Sequence, residues 1–206
     1  MLFSALLLVT LSSCAKKVKV TIDGTLSPTQ KTLWLIINED TANAQLIPIQ
    51  DAKFSVTVKV DNEAYIRLHD WKEWPERSAF VLIPDSKHIT IDWRTGSIEG
   101  SFASKRLKAA CDMVKREGPG NFHIDVFSDD KEAWAEARAK ERAIRLQMEQ
   151  RQRDVFRQLV IDNRYNEIPA WLVYCYPEFV TPDLMAEVTR EIEPEWMSHP
   201  ILKKKQ

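Results

Sequence analysis

Phe54-Ser55-Val56-Thr57-Val58-Lys59-Val60 alternates apolar and polar side chains without a break. Successive side chains of a β-strand point to opposite faces. This period of two therefore puts Phe54, Val56, Val58 and Val60 on one face and Ser55, Thr57 and Lys59 on the other. Working outward, the same period recurs. Val18, Val20 and Ile22 oppose Lys17, Lys19, Thr21 and Asp23, and Tyr65-Ile66-Arg67-Leu68 and His88-Ile89-Thr90-Ile91-Asp92-Trp93 repeat it. Leu33 to Ile37 and Phe80 to Ile83 are apolar runs of strand length. Turn-forming clusters separate them at Ser27-Pro28-Thr29, Asn38 to Asn43, Gln50-Asp51, Asp61-Asn62 and Pro84-Asp85. About seven or eight short strands with a turn every eight to twelve residues predict an antiparallel β-sandwich or barrel.

From Ser101 the period changes to that of a helix. Residues 102 to 116 carry a Leu107, Ala110, Cys111, Val114 stripe, closed by Gly118-Pro119-Gly120. Ser128, followed by Asp129 and Asp130, reads as the N-cap of a long helix that reaches about Asn163. Trp134, Ala137, Ile144, Met148, Val155 and Leu159 form its narrow apolar stripe, and Glu136–Lys140, Glu141–Arg145 and Glu149–Arg153 have the favourable i,i+4 order. Residues 168 to 176 form a shorter aromatic helix, and Thr181-Pro182-Asp183 opens another, with threonine as N-cap and proline at the first helical position. The expected class is α+β: residues 14–101 a β-sandwich domain, residues 102–206 a helical region packed on it.

The first residues give an address. Leu2 to Leu11 is an apolar run too short to span a bilayer but of signal-peptide length. It ends in Leu11-Ser12-Ser13-Cys14, which resembles the bacterial lipobox. Residues 1–13 are then a signal peptide and Cys14 is the lipidated mature N-terminus. The segment before the apolar run is uncharged, which points to a start further upstream. Two or three acyl chains hold a protein stably on a membrane. Lys16, Lys17 and Lys19 would sit beside anionic headgroups. Surface-exported lipoproteins of Bacteroidota tend to carry acidic residues after this cysteine, so the lysines favour a periplasm-facing position.

Composition narrows the partners. A net charge of −1, with 44% hydrophobic and 29% charged residues, describes an ordinary globular chain without a field that favours nucleic acid. Arg138, Arg142, Arg145, Arg151, Arg153 and Arg157 crowd the long helix, but acidic side chains nearly balance them, so that face reads as solvated surface. Apart from Cys14, the cysteines are Cys111 and Cys175, both on apolar helix faces. They are expected as two buried thiols rather than a bridge, although an envelope compartment would permit one.

A resemblance extends over most of the mature chain. Thr21-Ile22-Asp23-Gly24-Thr25-Leu26, Phe54-Ser55-Val56, Ala64-Tyr65-Ile66-Arg67-Leu68 and Ile98-Glu99-Gly100-Ser101 resemble an uncharacterised β-rich domain of Bacteroidota lipoproteins. That domain often precedes a thioredoxin-like or peroxiredoxin-type domain. Asp162-Asn163, the aromatic helix and Thr181-Pro182-Asp183-Leu184 are similar to the linker of the same proteins. The resemblance implies a thioredoxin-like domain starting after Lys203-Lys204-Lys205, where this sequence reaches Gln206. A thioredoxin site needs two cysteines two residues apart, and no such pair occurs. The redox chemistry of the longer relatives is therefore not carried over.

No other catalytic pattern emerges. His69, His88, His123 and His199 are scattered, His123 with Asp125 reads as a surface pair, and no serine-nucleophile elbow, zinc spacing or phosphate loop is present. The expectation is no catalytic residue, no metal and no cofactor. The segment His69-Asp70-Trp71-Lys72-Glu73-Trp74-Pro75-Glu76-Arg77 carries two tryptophans among charges. His69, Trp71, Trp74 and Arg77 are the candidate contact residues for a partner or ligand. The competing reading, favoured because most tryptophans are largely buried, folds both rings over the end of the sandwich. Three function classes follow: a non-catalytic lipid-anchored envelope module that binds a protein partner or small ligand, an N-terminal remnant of a thioredoxin-like system, and a structural lipoprotein. The first is expected.

Overall fold

The computed structural model describes residues 17–38, 40–61, 64–70, 80–120, 122–125, 130–197 and 202. Cys14 and the leader, Trp71, Trp74 and Arg77, and the Ser128–Asp129 cap lie outside the described residues. The chain divides into two compact units, Met1–Phe102 and Ala103–Gln206.

In the first unit, β1 (Lys17–Thr25) is the organising strand. It runs antiparallel to β4 (Lys53–Asp61) through an unbroken register from Lys17 opposite Asp61 to Thr25 opposite Lys53. Phe54, Val56, Val58 and Val60 of β4 all point into the core, as the alternation predicts. On the other face Thr21 and Thr57 meet hydroxyl to hydroxyl at 3.0 Å. The opposite edge of β1 pairs with β7 (His88–Asp92), which pairs with β8 (Ser97–Glu99), giving the order β4-β1-β7-β8. The second sheet has the order β3-β2-β5-β6, from β2 (Trp34–Ile37), β3 (Gln45–Leu46), β5 (Ile66–His69) and β6 (Phe80–Leu82).

Both sheets contribute to one apolar core. Val20, Ile22, Ile89, Ile91 and Ile98 come from the first sheet, and Leu35, Ile66, Leu68 and Leu82 from the second. Each such side chain contributes roughly 1.5–3 kcal/mol when fully buried. Of the two expected architectures this is the sandwich, since two separate sheets keep open edges where a barrel would close.

Two details depart from the sequence reading. The β1–β7 pair is parallel, from Thr21 opposite His88 to Thr25 opposite Asp92, so the sandwich is mostly rather than wholly antiparallel. Alternation is identical in both orientations and cannot reveal this. In addition, β5 is buried on both faces: Ile66 and Leu68 enter the core, while Arg67 is 5% and His69 0% exposed. Gly24 has a strict packing role, because a Cβ there would collide with the Phe54 ring and the Ile91 carbonyl oxygen. Gly100, at φ +86°, turns the chain out of β8 over the His88 carbonyl, where a side chain has no room.

The second unit is helical. Its first helix, α1 (Phe102–Glu117), buries the predicted Leu107, Ala110 and Val114. α2 (Lys131–Asp162) is 32 residues long, about 48 Å at 1.5 Å per residue. It is capped by Asp130, whose carboxylate accepts from the Glu132 N–H at 2.9 Å, so the cap falls later than the Ser128 expected from sequence. Asn163 ends it as predicted. The buried residues of α2 are Phe156 and Val160, next to rather than within the expected Val155–Leu159 line, and Trp134 is 41% exposed. Glu141 and Arg145 form their predicted pair at 3.0 Å, and both strap the preceding segment: Glu141 accepts from the Ile124 N–H, and Arg145 donates to the Phe122 carbonyl. α3 (Ile168–Cys175) and α4 (Pro182–Glu191) follow, then α5 (Pro194–Met197). Thr181 caps α4 by accepting from the Leu184 N–H at 3.2 Å, with Pro182 at the first helical position.

Candidate functional site

The segment between β1 and β2 is rich in small polar residues, and the structure uses it to build one wall of a concave site. Leaving β1, the Leu26 N–H donates to the Ala52 carbonyl at 2.8 Å, and a turn closes from the Gln30 N–H to the Ser27 carbonyl at 2.9 Å. Ser27 and Thr29 share a hydroxyl contact at 3.0 Å. The Thr32 hydroxyl then donates to the Asp70 carbonyl at 2.7 Å, tying this connection to the residue that follows β5. At this end of the sandwich β1, β5 and β7 finish and β2 begins. The Trp93 N–H donates to the Thr25 carbonyl at 2.8 Å, fixing the exit of β7 beside the exit of β1.

These elements enclose an open cavity of ≈ 600 Å³ lined by Gln30, Lys31, Thr32, Trp34, Asp70 and Trp93, with Ser27 and Thr29 at its side. That volume falls within the range of small-molecule pockets. Both indoles are half-buried. Trp93 packs against the apolar core and against Phe80, with ring centroids 4.8 Å apart, so its plane is held from behind. Trp34 stands opposite His69 across the β2–β5 ladder. Lys31 and Asp70 contribute one charge of each sign, while hydroxyls and the Gln30 amide supply neutral donors and acceptors. Next to Trp93, desolvation pushes the Asp92 carboxyl up. The Arg94 N–H at 2.9 Å and the Thr95 and Thr25 hydrogen bonds outweigh it and hold the group below its ordinary 3.8.

Of the candidate contact residues from the sequence, His69 is described. It lies inside β5 with no exposed surface, its Nδ1 3.3 Å from Asp70 Oδ1. It is therefore buried next to the carboxylate that lines the cavity, rather than on the surface the sequence reading gave it. Trp71, Trp74 and Arg77 lie outside the described residues. Sequence reading missed Trp34 and Trp93, which it took as ordinary strand residues. For Trp34 the available signal was its position at the start of an apolar run directly after a turn-forming cluster; nothing local places Trp93 beside it.

Among the described residues, the other histidines and carboxylates near the surface form no metal-like cluster. His123 and Asp125 make an exposed pair at 2.6 Å, and among the described residues no three His, Cys, Asp or Glu side chains converge as metal ligands would. A second cavity, of ≈ 490 Å³ beside α4, is lined by Pro177, Val180, Thr181, Pro182, Met185, Ala186 and Thr189, with neither charge nor aromatic face. No described helix is long and apolar enough to cross a membrane. Comparison of the chain with protein-family models, curated proteins and solved structures returned no match.

Proposed function

We propose that this chain is a non-catalytic, lipid-anchored cell-envelope protein whose β-sandwich binds a small polar ligand with a flat apolar face, of the saccharide type. The observation that carries this reading is the cavity lined by both Trp34 and Trp93 together with Gln30, Lys31, Thr32 and Asp70. A sugar ring has apolar C–H faces that an indole covers and a rim of hydroxyls that neutral donors and acceptors satisfy. One charge of each sign, from Lys31 and Asp70, gives the cavity little preference for an anion or a cation. The cavity is open and largely pre-built by backbone hydrogen bonds, so little ordering opposes binding.

The anchor is the second part of the proposal. Cys14 follows a leader-length apolar run and is itself followed by Lys16, Lys17 and Lys19, which supports acylation and a periplasm-facing position. The β-half is then the lipoprotein domain that it resembles, acting as a binding module.

Titration of the full chain carrying Cys14→Ser with neutral oligosaccharides and cell-wall glycan fragments, followed by calorimetry, tests the ligand. Saturable binding is expected, weakened at least about tenfold by Trp34→Ala and several-fold by Gln30→Ala. Absence of binding across the panel, or binding indifferent to both substitutions, sinks the proposal. Detergent partitioning tests the anchor: wild type should enter the detergent phase and Cys14→Ser should not.

A further inference from the structure

Cys111 lies in α1 and Cys175 is the last residue of α3, with positions 112 to 174 between them. The fold closes that separation: the Cys175 and Cys111 side chains are hydrogen-bonded to each other. No disulfide joins them, and both are half-buried rather than sealed from solvent. Their approach is braced by the next residue. The Tyr176 hydroxyl donates to the Cys111 carbonyl at 2.8 Å, pinning the chain after Cys175 onto the turn of α1 that carries Cys111. Tyr176 is fixed in turn, stacked on Phe179 with centroids 5.7 Å apart and edge-on to Phe156 at 6.0 Å. Two thiols whose side chains reach each other on packed helices meet the first requirement of a disulfide, the proximity of the two sulfurs.

We propose that Cys111 and Cys175 form a redox-active dithiol that closes reversibly into a disulfide joining α1 to α3. The oxidant is a small-molecule disulfide of the glutathione class. The Cys111 thiolate attacks one sulfur of that disulfide, breaking its S–S bond and releasing one thiolate, which takes a proton. The Cys175 thiolate then attacks the Cys111 sulfur of the mixed disulfide and expels the second thiolate. Two protein thiols and one external disulfide become one protein disulfide and two external thiols, so two electrons and two protons leave the protein. Cys111 suits the attacking role. The hydrogen bond from Cys175 favours its thiolate and, with Lys115 and Tyr176, outweighs desolvation and Asp112, holding the thiol below its ordinary 9.0. The established requirement for vicinal cysteines applies to thioredoxin sites, not to a bridge formed across helices.

The test uses the full chain carrying Cys14→Ser, so that these two thiols are the cysteines present. After incubation with oxidised glutathione, thiol titration should fall from two to none, intact mass should drop by two hydrogens, and a peptide pair linked through Cys111 and Cys175 should appear. The helical melting transition should rise by on the order of 10 °C, because the bridge closes a long loop. Dithiothreitol should reverse all of these changes. In Cys175→Ser the reaction should stop at a glutathione adduct on Cys111, with no such rise. Two persistent thiols, or two separate glutathione adducts on the unsubstituted pair, would overturn the proposal.

Discussion

β4 and α2 both carry apolar residues in a regular pattern, yet the structure treats them differently. In β4 every second residue from Phe54 to Val60 is buried. In α2 burial is confined to Phe156 and Val160 near the C-terminal end, while Trp134 and Leu146 remain exposed. A strand inside a sheet has neighbours along its length, so its pattern is converted to burial throughout. A long helix is buried only where another element crosses it, and here Phe156 meets Tyr176 and Phe179. Patterning states which face could be buried; the partner decides how much of it is.

Truncation should break the comparison most sharply at the crossing. Phe156→Ala is expected to destabilise the helical unit by about 3–5 kcal/mol, the usual cost of removing a fully buried aromatic ring. Urea unfolding followed by helical circular dichroism measures it, and a loss below about 1 kcal/mol would mean that the ring is not core. The matching change on the exposed part of the same helix, Leu146→Ala, should stay within about 0.5 kcal/mol.

In the β-half the sensitive position is one where a side chain is added. Gly24→Ala should cost about 1–3 kcal/mol through overpacking against Phe54 and Ile91. The double variant Gly24→Ala with Phe54→Leu should lose less than the sum of the two single changes, since the shorter side chain vacates part of the space. Strict additivity would show that the collision with Phe54 is not the cause.

A cap effect is smaller. Thr181→Ala removes the acceptor for the Leu184 N–H and should cost about 1 kcal/mol, with Thr181→Ser recovering most of it. Equal losses in both variants would rule out the hydroxyl as the source.

The smallest effect concerns the exposed strap on α2. The hydrogen bond from Arg145, aided by the Ile124 N–H, holds the Glu141 carboxyl below its ordinary 4.5. A depressed carboxyl contributes stability that is present above its unfolded value and is lost as pH falls through the folded one. Carbon-detected NMR titration should therefore place the Glu141 midpoint below 4.5, and Arg145→Gln should return it upward. A midpoint at or above that value in the native protein would refute the strap.

Much of the fold was legible because it is local. Thr181-Pro182 caps α4 and Asn163 ends α2, where sequence placed them, since a cap needs only residues a few positions apart. The cap of α2 shifted from Ser128 to Asp130 because Ser128, Asp129 and Asp130 are all competent acceptors, and propensity does not rank them reliably. The candidate site was less legible. His69 was noticed for its neighbours in sequence, but the strand that contains it is buried on both faces, which one strand's alternation did not indicate.

By itself the sequence determined the change of period at Ser101, most of the strands and helices on either side of it but not the short β3, β8 and α5, and the apolar faces of the strands. These properties depend on neighbours within a turn of helix or two residues of strand. Only the tertiary structure decided that β1 pairs in parallel with β7, that Trp34 and Trp93 face one cavity, and that Cys111 meets Cys175. Each joins residues far apart along the chain. Their proximity is set by how whole elements pack, a many-body outcome that no local pattern encodes.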